Sequence, residues 1–263
     1  MKIATYNINS IKARISNLCI WLKEHDPDIV LLQEIKCETE NFPYFELETL
    51  GYNVVAWGQK GYNGVAILCK YKFEITNRNL PTFLEDDSAR YIEILVNKNN
   101  EKFYIASIYA PNGCANDKNK EEEKYLYKLK WYNKLYMHLK SIQNKGYPII
   151  IGGDFNVMLK DIDVFDSSKF KDSPLFRKEI KNEIIALKNI GFHDAFRLFN
   201  KNLEGYTFWD YTGNSFVTNL GLRIDYLFLS AFFADRLIDI SVDKTLREMD
   251  HPSDHTALIA TFR

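Results

Sequence analysis

The sequence predicts an α/β fold, a four-layer α/β/β/α sandwich in which two mainly antiparallel sheets are flanked by helices. Three observations support this prediction. Short β-rich segments recur along the chain, several of them are continuous apolar runs, and amphipathic helical segments lie between them. The 263 residues contain no internal repeat, low-complexity tract or Pro/Gly/Ser-rich linker, so a single domain over residues 1–263 is the simplest interpretation.

The predicted strands extend from the amino terminus to the end of the chain. They are Lys2–Ile8, Asp28–Leu32, Asn53–Trp57, Gly64–Cys69, Arg90–Val96, Phe103–Tyr109, Pro148–Ile151, Ile224–Leu229 and Thr256–Phe262. The segments 29–32 and 149–151 are apolar at every position. Such runs are typical of strands that are buried on both faces.

Three helices are predicted between the strands. In the first, Ile11, Ile15, Leu18 and Leu22 form one apolar stripe. The second covers about residues 119–143, and we expect one apolar side made of Leu126, Leu129, Tyr132, Leu135 and Leu139. The third covers about residues 175–190 and ends at Gly191, a residue type that favours helix carboxyl termini.

Two segments are predicted to be long polar loops. One follows Tyr109 and contains Asn112-Gly113, and the other covers residues 160–173. Long loops on a rigid sandwich usually form the binding surface. The sequence does not define the role of loops 112–119 and 160–173.

The net charge of the chain does not exclude any class of binding partner. The chain has 34 Lys and Arg against 35 Asp and Glu, a formal net charge of -1. A nucleic-acid binder is often basic overall, so this balance argues weakly against one. It does not decide the question, because binding depends on a basic face and acidic metal ligands lower the total.

The cysteines and the amino terminus indicate a reducing compartment. Cys19, Cys37, Cys69 and Cys114 are widely separated and form no C-x-x-C pair, which disfavours a disulfide framework or structural zinc. The chain becomes polar directly after its first residues, unlike a signal peptide, and no apolar run reaches the length of a membrane span. We therefore expect a cytoplasmic protein with no membrane partner.

Polar side chains follow or precede several apolar strands. Asn7, Glu34, Tyr109, Asp154 and Asn156 follow strands, whereas Asp225 and His255 lie where strands begin. One such residue alone is more often a turn or cap residue. Several carboxylates beside apolar strands are costly to desolvate unless they are paired or bind a metal, so the set together predicts a cation site at one edge of the sandwich.

These residues lie within motifs that resemble those of one family. Residues 28–36 end in Gln33-Glu34-Ile35-Lys36, residues 219–225 match N-x-G-x-R-(apolar)-D, and residues 253–255 are Ser-Asp-His. Asn7-Ile8-Asn9, residues 109–112 and residues 153–156 supply the remaining blocks. The chain thus resembles, over essentially its whole length, the exonuclease III / abasic-site endonuclease family of the endonuclease–exonuclease–phosphatase superfamily.

The match is incomplete near the carboxyl-terminal third. Ala195 stands where the family usually has Ser or Thr, Leu198 where it has a basic residue, and Phe228 where it has Leu or Val. None of these departures affects an expected catalytic position. The missing basic residue slightly weakens the expectation of a DNA contact there.

The resemblance implies a DNase I-like fold and an Mg²⁺-dependent DNA-repair nuclease, with Mn²⁺ as a substitute. Such an enzyme hydrolyses the phosphodiester 5′ to abasic sites, has 3′–5′ exonuclease activity and removes blocking groups such as phosphate from 3′ ends. The implied partner is duplex DNA with abasic sites or 3′ ends. We expect a monomer that associates with the nucleoid through DNA.

Each motif residue then has an expected role. Glu34 is the first-choice Mg²⁺ ligand, supported directly or through water by Asn7 and Asp254. Asp154 would orient and deprotonate the attacking water, and Asn156 would bind the phosphate or that water. Asp225 would hold His255 protonated so that it stabilises the phosphate, and Tyr109 would donate to a phosphoryl oxygen or assist the leaving oxygen.

The expected substrate contacts are of two kinds. Polar residues that would bind phosphate or organise the site are Asn9, Lys36, Arg90, Asn112 and Arg223. Residues that would line an apolar pocket for an extruded abasic deoxyribose are Phe208, Trp209 and Leu222. The alternatives are ordinary surface charge for the first group and core packing for the second, above all for Trp209.

Two other functions are compatible with parts of the pattern. Lipid or inositol-phosphate phosphoesterases of the same superfamily share its Glu, Asp-x-Asn and Asp-His chemistry, but the Q-E-x-K and N-x-G-x-R-x-D blocks favour DNA. A non-catalytic DNA-binding module is disfavoured because every catalytic position holds a competent residue. The sequence does not fix the balance of endonuclease and exonuclease activity, the number and identity of the metals, or activity on RNA in hybrids.

Overall fold

The structure is a computed structural model that describes residues 1–263. Its strands are β1 (Lys2–Asn7), β2 (Ile29–Gln33), β3 (Asn53–Trp57), β4 (Val65–Cys69), β5 (Lys72–Arg78), β6 (Tyr91–Lys98), β7 (Glu101–Tyr109), β8 (Ile149–Asp154), β9 (His193–Asp194), β10 (Asp225–Leu229), β11 (Leu237–Asp243) and β12 (Ala257–Phe262). Its α-helices are α1 (Ile11–His25), α2 (Tyr44–Glu48), α3 (Lys118–Asn144), α4 (Lys178–Asn189), α5 (Ala195–Phe199), α6 (Ala231–Ala234) and α7 (Thr245–Glu248).

Two six-stranded sheets form the centre of the molecule. The first sheet has the strand order β11-β12-β1-β2-β4-β3, and the second has the order β5-β6-β7-β8-β10-β9. Each contains one parallel pair, β1 with β2 and β7 with β8, whereas its other pairs are antiparallel. The prediction of two mainly antiparallel sheets is therefore confirmed.

The continuous apolar strands separate two hydrophobic layers. In β2, Ile29 and Leu31 lie in the core between the sheets, whereas Val30 and Leu32 pack on the side of α1. The second sheet follows the same rule, because Ile150 of β8 faces the first sheet and its neighbours face α3 and α4. Successive side chains of a strand point to opposite faces, so both faces of each sheet are covered. This arrangement is the predicted four-layer sandwich.

The first and third predicted helices agree closely with the structure. Helix α1 buries Leu18 and Leu22 against the first sheet, as its apolar stripe predicted. Helix α4 ends just before Gly191, whose φ of 98° is readily adopted only by glycine. No helix in the structure combines the length and apolar character that crossing a bilayer requires.

The predicted apolar side of α3 is wrong at Leu126, which is 58% exposed. Tyr132, Leu135 and Leu139 are buried as predicted, but the interior positions of the amino-terminal half are Tyr125 and Lys128. Spacings of three residues fall short of a full turn by about 60° each, so Leu126 and Leu135 lie on opposite sides of the helix.

Three strands were not predicted, and all are edge strands. β5, β9 and β11 lie at the ends of their sheets. β5 reads KFEITNR and has no fully buried residue, whereas β11 buries only Leu237 and Ile240. Edge strands tolerate polar side chains because one of their sides faces water, and this removes the apolar signal that identifies central strands.

Candidate active site

Three polar side chains stand in one row across the second sheet. Tyr109 at the end of β7 pairs in register with Asp154 at the end of β8, and Asp154 pairs with Asp225 at the start of β10. β7 is parallel to β8 whereas β10 is antiparallel to it, so two strand ends and one strand start meet at one edge. The structure thus brings together three residues that are far apart in the sequence.

Asn7 joins this row to the first sheet. It ends β1, and Glu34 directly follows β2, the parallel neighbour of β1. The Nδ2 atom of Asn7 donates to Oε1 of Glu34 and to Oδ2 of Asp154, each at 2.9 Å. Glu34 has a φ of 49°, an uncommon conformation for a non-glycine residue that turns the chain at the strand end. Two carboxylates, one from each sheet, therefore lie on either side of one buried amide.

His255 is held between two aspartates. Its Nδ1 atom lies 2.8 Å from Oδ2 of Asp225, and its Nε2 atom lies 3.8 Å from Oδ2 of Asp154. Thr207 donates its hydroxyl to Oδ2 of Asp225 at 2.6 Å and so helps to fix this carboxylate. Burial alone lowers the pKa of His255, but the Asp225 carboxylate outweighs that effect and raises the pKa to about 10. The imidazole is therefore positively charged at neutral pH.

Asp154 is shielded from water and surrounded by charge. Burial raises its pKa, the protonated His255 opposes this, and the carboxylates of Asp225 and Glu34 raise it further. The backbone N–H of Asn156 donates to its Oδ1 atom at 2.9 Å and fixes its orientation. The net effect is a pKa above the ordinary aspartate value, which makes Asp154 a stronger base than an exposed carboxylate.

Tyr109 keeps its proton. Burial raises the pKa of its hydroxyl well above the usual value, and the nearby carboxylates of Glu34 and Asp154 raise it further. The guanidinium of Arg90 lies 4.9 Å from the centre of the Tyr109 ring and donates to the Tyr109 carbonyl at 3.3 Å. Tyr109 can therefore act as a hydrogen-bond donor beside Asp154, with Arg90 supporting its ring.

Glu34, Asp154 and His255 form the one group of ligand-type side chains that approach each other closely enough to hold a metal. Their ligand atoms lie within 4.8 Å of one another. Because His255 is protonated, it is a poor ligand, and the oxygen donors are Glu34 and Asp154. One or two carboxylates suit Mg²⁺, which retains several waters. Asn7 donates its amide N–H groups to these carboxylates, so it would have to turn its amide to bind a cation directly.

Asp254 lies outside this group, which corrects the expectation that it directly supports Glu34. Its Oδ1 atom accepts from Nδ2 of Asn9 at 2.9 Å. Asn9 in turn accepts from Lys36 at 2.6 Å, and Lys36 lies 2.9 Å from Oε2 of Glu34. Asp254 and Glu34 are therefore linked through two intervening side chains, and Asp154 takes the place expected for Asp254 beside Glu34.

One of the predicted apolar pocket residues, Phe208, lies beside His255, and a second, Leu222, lies beside Phe208. Phe208 makes isolated β-bridges to both Leu222 and His255, and its ring centre lies 5.0 Å from that of His255. Phe208 is half-buried, whereas Leu222 is buried, being 6% exposed. An apolar surface thus borders the imidazole.

Arg223 does not occupy a position from which it could contact substrate. It is 1% exposed, and its guanidinium pairs with Asp163 at 2.8 Å and with Asp194 at 2.9 Å. Of the two roles considered for Arg223, phosphate binding is therefore excluded by its burial, and site organisation fits. The ion pairs anchor the segment that leads into Asp225.

Trp209 is also an internal residue, so its expected place in the pocket is wrong. It is fully buried, and its Nε1 atom donates to Oδ1 of Asn219 at 3.3 Å.

Arg90 and Asn112, in contrast, line one surface pocket together with Lys124. Their exposure is compatible with the predicted phosphate contacts.

Two further residues of the site were not predicted from the sequence. Thr207 bonds Asp225, and Lys128 of α3 is completely buried beneath the loops that follow β7 and β8. A threonine carries no distinctive pattern. Lys128 has one recognisable signal, because Tyr125, Trp131 and Tyr132 lie three or four residues from it on the same helix face.

The whole chain is similar in sequence to known proteins. Residues 4–255 match the model of the Endonuclease/Exonuclease/phosphatase family. The chain is 33% identical over 270 residues to exodeoxyribonuclease III of Haemophilus influenzae, covering all of both proteins.

Two solved structures are also similar to it. One is a 3′ phosphatase from Neisseria bound to product DNA hairpin, with 31% identity, a TM-score of 0.94, and coverage of 100% of this chain and 99% of that one. The other is an AP endonuclease from Archaeoglobus fulgidus, with 33% identity, a TM-score of 0.90 and the same coverage.

Proposed function

The chain belongs to the endonuclease/exonuclease/phosphatase family, and from that premise we propose that it is a DNA-repair nuclease which hydrolyses the phosphodiester 5′ to abasic sites. Its predicted resemblance to exonuclease III and AP endonucleases is confirmed, and so is its predicted DNase I-like fold. The protein is therefore a nuclease. In the proposed function the same site removes nucleotides, phosphate and other blocking groups from 3′ ends.

The observation that carries this proposal is the buried charge arrangement at Asp154. A basic carboxylate lies 3.8 Å from a protonated imidazole and is joined through Asn7 to a second carboxylate. Phosphodiester hydrolysis needs a base for the attacking water and positive charge for the phosphoryl oxygens. Asp154 supplies the first, and His255 supplies part of the second.

Each neighbouring residue has a task in this reaction. Asp154 orients the attacking water and takes its proton. The imidazolium of His255, kept charged by Asp225, stabilises the negative charge that develops on the phosphate. Tyr109 donates a hydrogen bond from its hydroxyl to a phosphoryl oxygen or assists the departing oxygen, and Asn156 hydrogen-bonds the phosphate.

A divalent cation fits the donors that are present. Glu34 would hold Mg²⁺, with Mn²⁺ as a substitute, because its carboxylate lies beside the reacting group and one carboxylate suffices for an ion that keeps several waters, which leaves Asp154 free to act as the base. The bound ion supplies neutralisation of the charge on the phosphoryl oxygens. Lys36 balances part of the charge on Glu34 at its Oε2 atom, whereas Asn7 donates to its Oε1 atom.

The surroundings of His255 support a DNA substrate that lacks a base. Phe208 and Leu222 place apolar surface beside the imidazole, where an extruded deoxyribose would pack. A sugar without a base loses little stacking when it leaves the duplex, which lowers the cost of extrusion. Arg90, Asn112 and Lys36 are the proposed phosphate contacts.

We further propose that the protein acts as a monomer in the cytoplasm.

A gel assay tests the proposal. The substrate is a labelled duplex with one tetrahydrofuran abasic analogue, incubated with and without EDTA, and a fluorescent phospholipid head-group substrate is assayed in parallel. We expect a single cut 5′ to the analogue that EDTA abolishes. Cleavage of the lipid alone would overturn the proposal in favour of a phosphoesterase of the same superfamily, and DNA binding without cleavage would indicate a non-catalytic module.

A further inference from the structure

Lys128 is a charged residue in the interior of the protein that the proposed reaction does not use. It lies on α3 and is fully buried. Its Nζ atom contacts three backbone carbonyls, those of Asn112 at 3.0 Å, Asn156 at 2.7 Å and Pro174 at 2.9 Å. These carbonyls belong to three separate segments, the loop after β7, the loop after β8 and the segment before α4.

The chemistry of the lysine matches this environment. An ammonium group has three N–H donors and no acceptor, so three carbonyls use all of its donors. Burial lowers the pKa of Lys128 to about 7, and the nearby Cys114 and Asp154 oppose this lowering. An apolar side chain at this position would leave three buried carbonyls without a donor, a cost that the lysine avoids.

Two of the bound segments carry residues of the proposed reaction. Asn156 has a φ of 49°, donates its backbone N–H to Asp154 and donates Nδ2 to the Ala110 carbonyl at 2.9 Å. Tyr132, one turn from Lys128 on α3, donates its hydroxyl to the carbonyl of Phe155. Two side chains of one helix therefore hold consecutive carbonyls at the end of β8.

The loop after β7 also packs on the stem of Lys128. A Cβ atom placed on Gly113 would lie 3.1 Å from Cδ of Lys128 and 3.2 Å from Cβ of Pro174, and Gly113 has a φ of 79°. The loop approaches this closely only because it has glycine there. The lysine is thus a common support for the loop of Asn112, the loop of Asn156 and the end of the 160–173 segment.

We propose that Lys128 is a positioning residue, which by binding the carbonyls of Asn112, Asn156 and Pro174 sets the place of Asn156 beside Asp154 and fixes two DNA-facing loops relative to it. This inference rests on the proposed function. It assigns no chemical step to Lys128 itself, because its ammonium group is used entirely by backbone oxygens. Its effect on the reaction passes through Asn156.

A double-mutant cycle between Lys128 and Asn156 tests the proposal. Lys128→Met, Asn156→Ala and the double variant are compared with the wild type in single-turnover cleavage of abasic duplex at saturating Mg²⁺. We expect Lys128→Met to lower the rate by about 10- to 100-fold, because small displacements of a catalytic group are costly. In the Asn156→Ala background the same change should cost clearly less than in the wild type, because the part of the loss that passes through the Asn156 side chain is already gone.

Controls separate positioning from loss of stability. Lys140→Met removes an exposed lysine from the same helix, and Tyr91→Phe removes a buried hydrogen bond to Glu93 away from the site. Both should cleave at the wild-type rate. Duplex affinity, measured by anisotropy in EDTA, should change little in Lys128→Met, and Lys128→Arg should restore most of the rate because it keeps the charge and the donors.

Two results would overturn the proposal. One is an equal loss of rate in both Asn156 backgrounds, and the other is full activity of Lys128→Met. If Lys128→Met does not fold, Lys128→Gln, which retains an N–H donor group, is measured in the same cycle with the same criteria. A folded wild-type protein that fails to cleave abasic duplex defeats the proposed function, whereas a cleaving wild type with an additive cycle defeats only the role of Lys128.

Discussion

The Nδ1 atom of His255 lies 2.8 Å from Oδ2 of Asp225, and both side chains are sealed from solvent. Strand β10 supplies the aspartate, whereas the segment before β12 supplies the histidine, so the contact joins the second sheet to the first. A carboxylate at this distance fixes the tautomer and favours the imidazolium. The protonation state of the site is therefore set by a tertiary contact.

The first prediction concerns pH. The folded pKa of His255 is raised from its usual 6.5 to about 10, so the charged form is present through the neutral range and is lost only as the pH approaches 10. We expect kcat to rise as Asp154, whose pKa burial raises to about 8, loses its proton, and then to hold up to about pH 9. Asp225→Asn removes the largest raising effect and leaves the burial that lowers the pKa, so its alkaline loss of activity should begin at lower pH.

The measurement is kcat from pH 6 to 9.5 for the wild type, Asp225→Asn and the exposed control Asp235→Asn. A wild-type rate that falls as the pH rises from 7 to 9 would contradict the charged imidazole. Identical profiles for the wild type and Asp225→Asn would contradict the role given to Asp225.

The second prediction concerns the cation. Glu34→Gln keeps the shape of the side chain but removes the carboxylate of the proposed metal ligand, so the Mg²⁺ concentration for half-maximal activity should rise by about 10-fold or more. The check is a Mg²⁺ titration of cleavage rate, with the exposed neighbour Glu40→Gln as control. A titration curve that coincides with that of the wild type would remove Glu34 from the ligands.

The third prediction is that Arg223 contributes to stability whereas Arg90 contributes to DNA binding. Arg223→Met leaves the buried carboxylate of Asp194 without its ion-pair partner and leaves Asp163 with Arg197 alone, so it should lower the free energy of unfolding by about 3–5 kcal/mol. Arg90→Met removes a half-buried cation beside Tyr109 and should mainly weaken DNA binding. Urea unfolding and DNA anisotropy are measured for both. A stable Arg223→Met with weakened DNA binding would show that Arg223 does contact phosphate.

Much of the site followed from the sequence because of strand geometry. Asn7, Glu34, Tyr109 and Asp154 end central strands, and the parallel pairs β1–β2 and β7–β8 place those ends together. Central strands are apolar, so a polar residue at their end is visible in the sequence. The same reasoning placed the two sheets and their flanking helices.

What could not be predicted depends on tertiary contacts. Arg223 and Lys128 look like surface charges until Asp163, Asp194 and three carbonyls are placed around them. Asp254 was expected to support Glu34 directly or through water, yet its carboxylate accepts from Asn9 and is linked to Glu34 through Asn9 and Lys36. The edge strand β5 lacks an apolar pattern altogether.

The central claim is that Asp154 activates the attacking water within this charged cluster, and Asp154→Asn tests it most directly. The change preserves size and removes the basic oxygen, so single-turnover cleavage of abasic duplex at saturating Mg²⁺ should fall by about 10²–10⁴-fold. Affinity for the duplex in EDTA should stay near that of the wild type, and the exposed control Asp239→Asn should be fully active. Cleavage by Asp154→Asn at the wild-type rate would contradict the account.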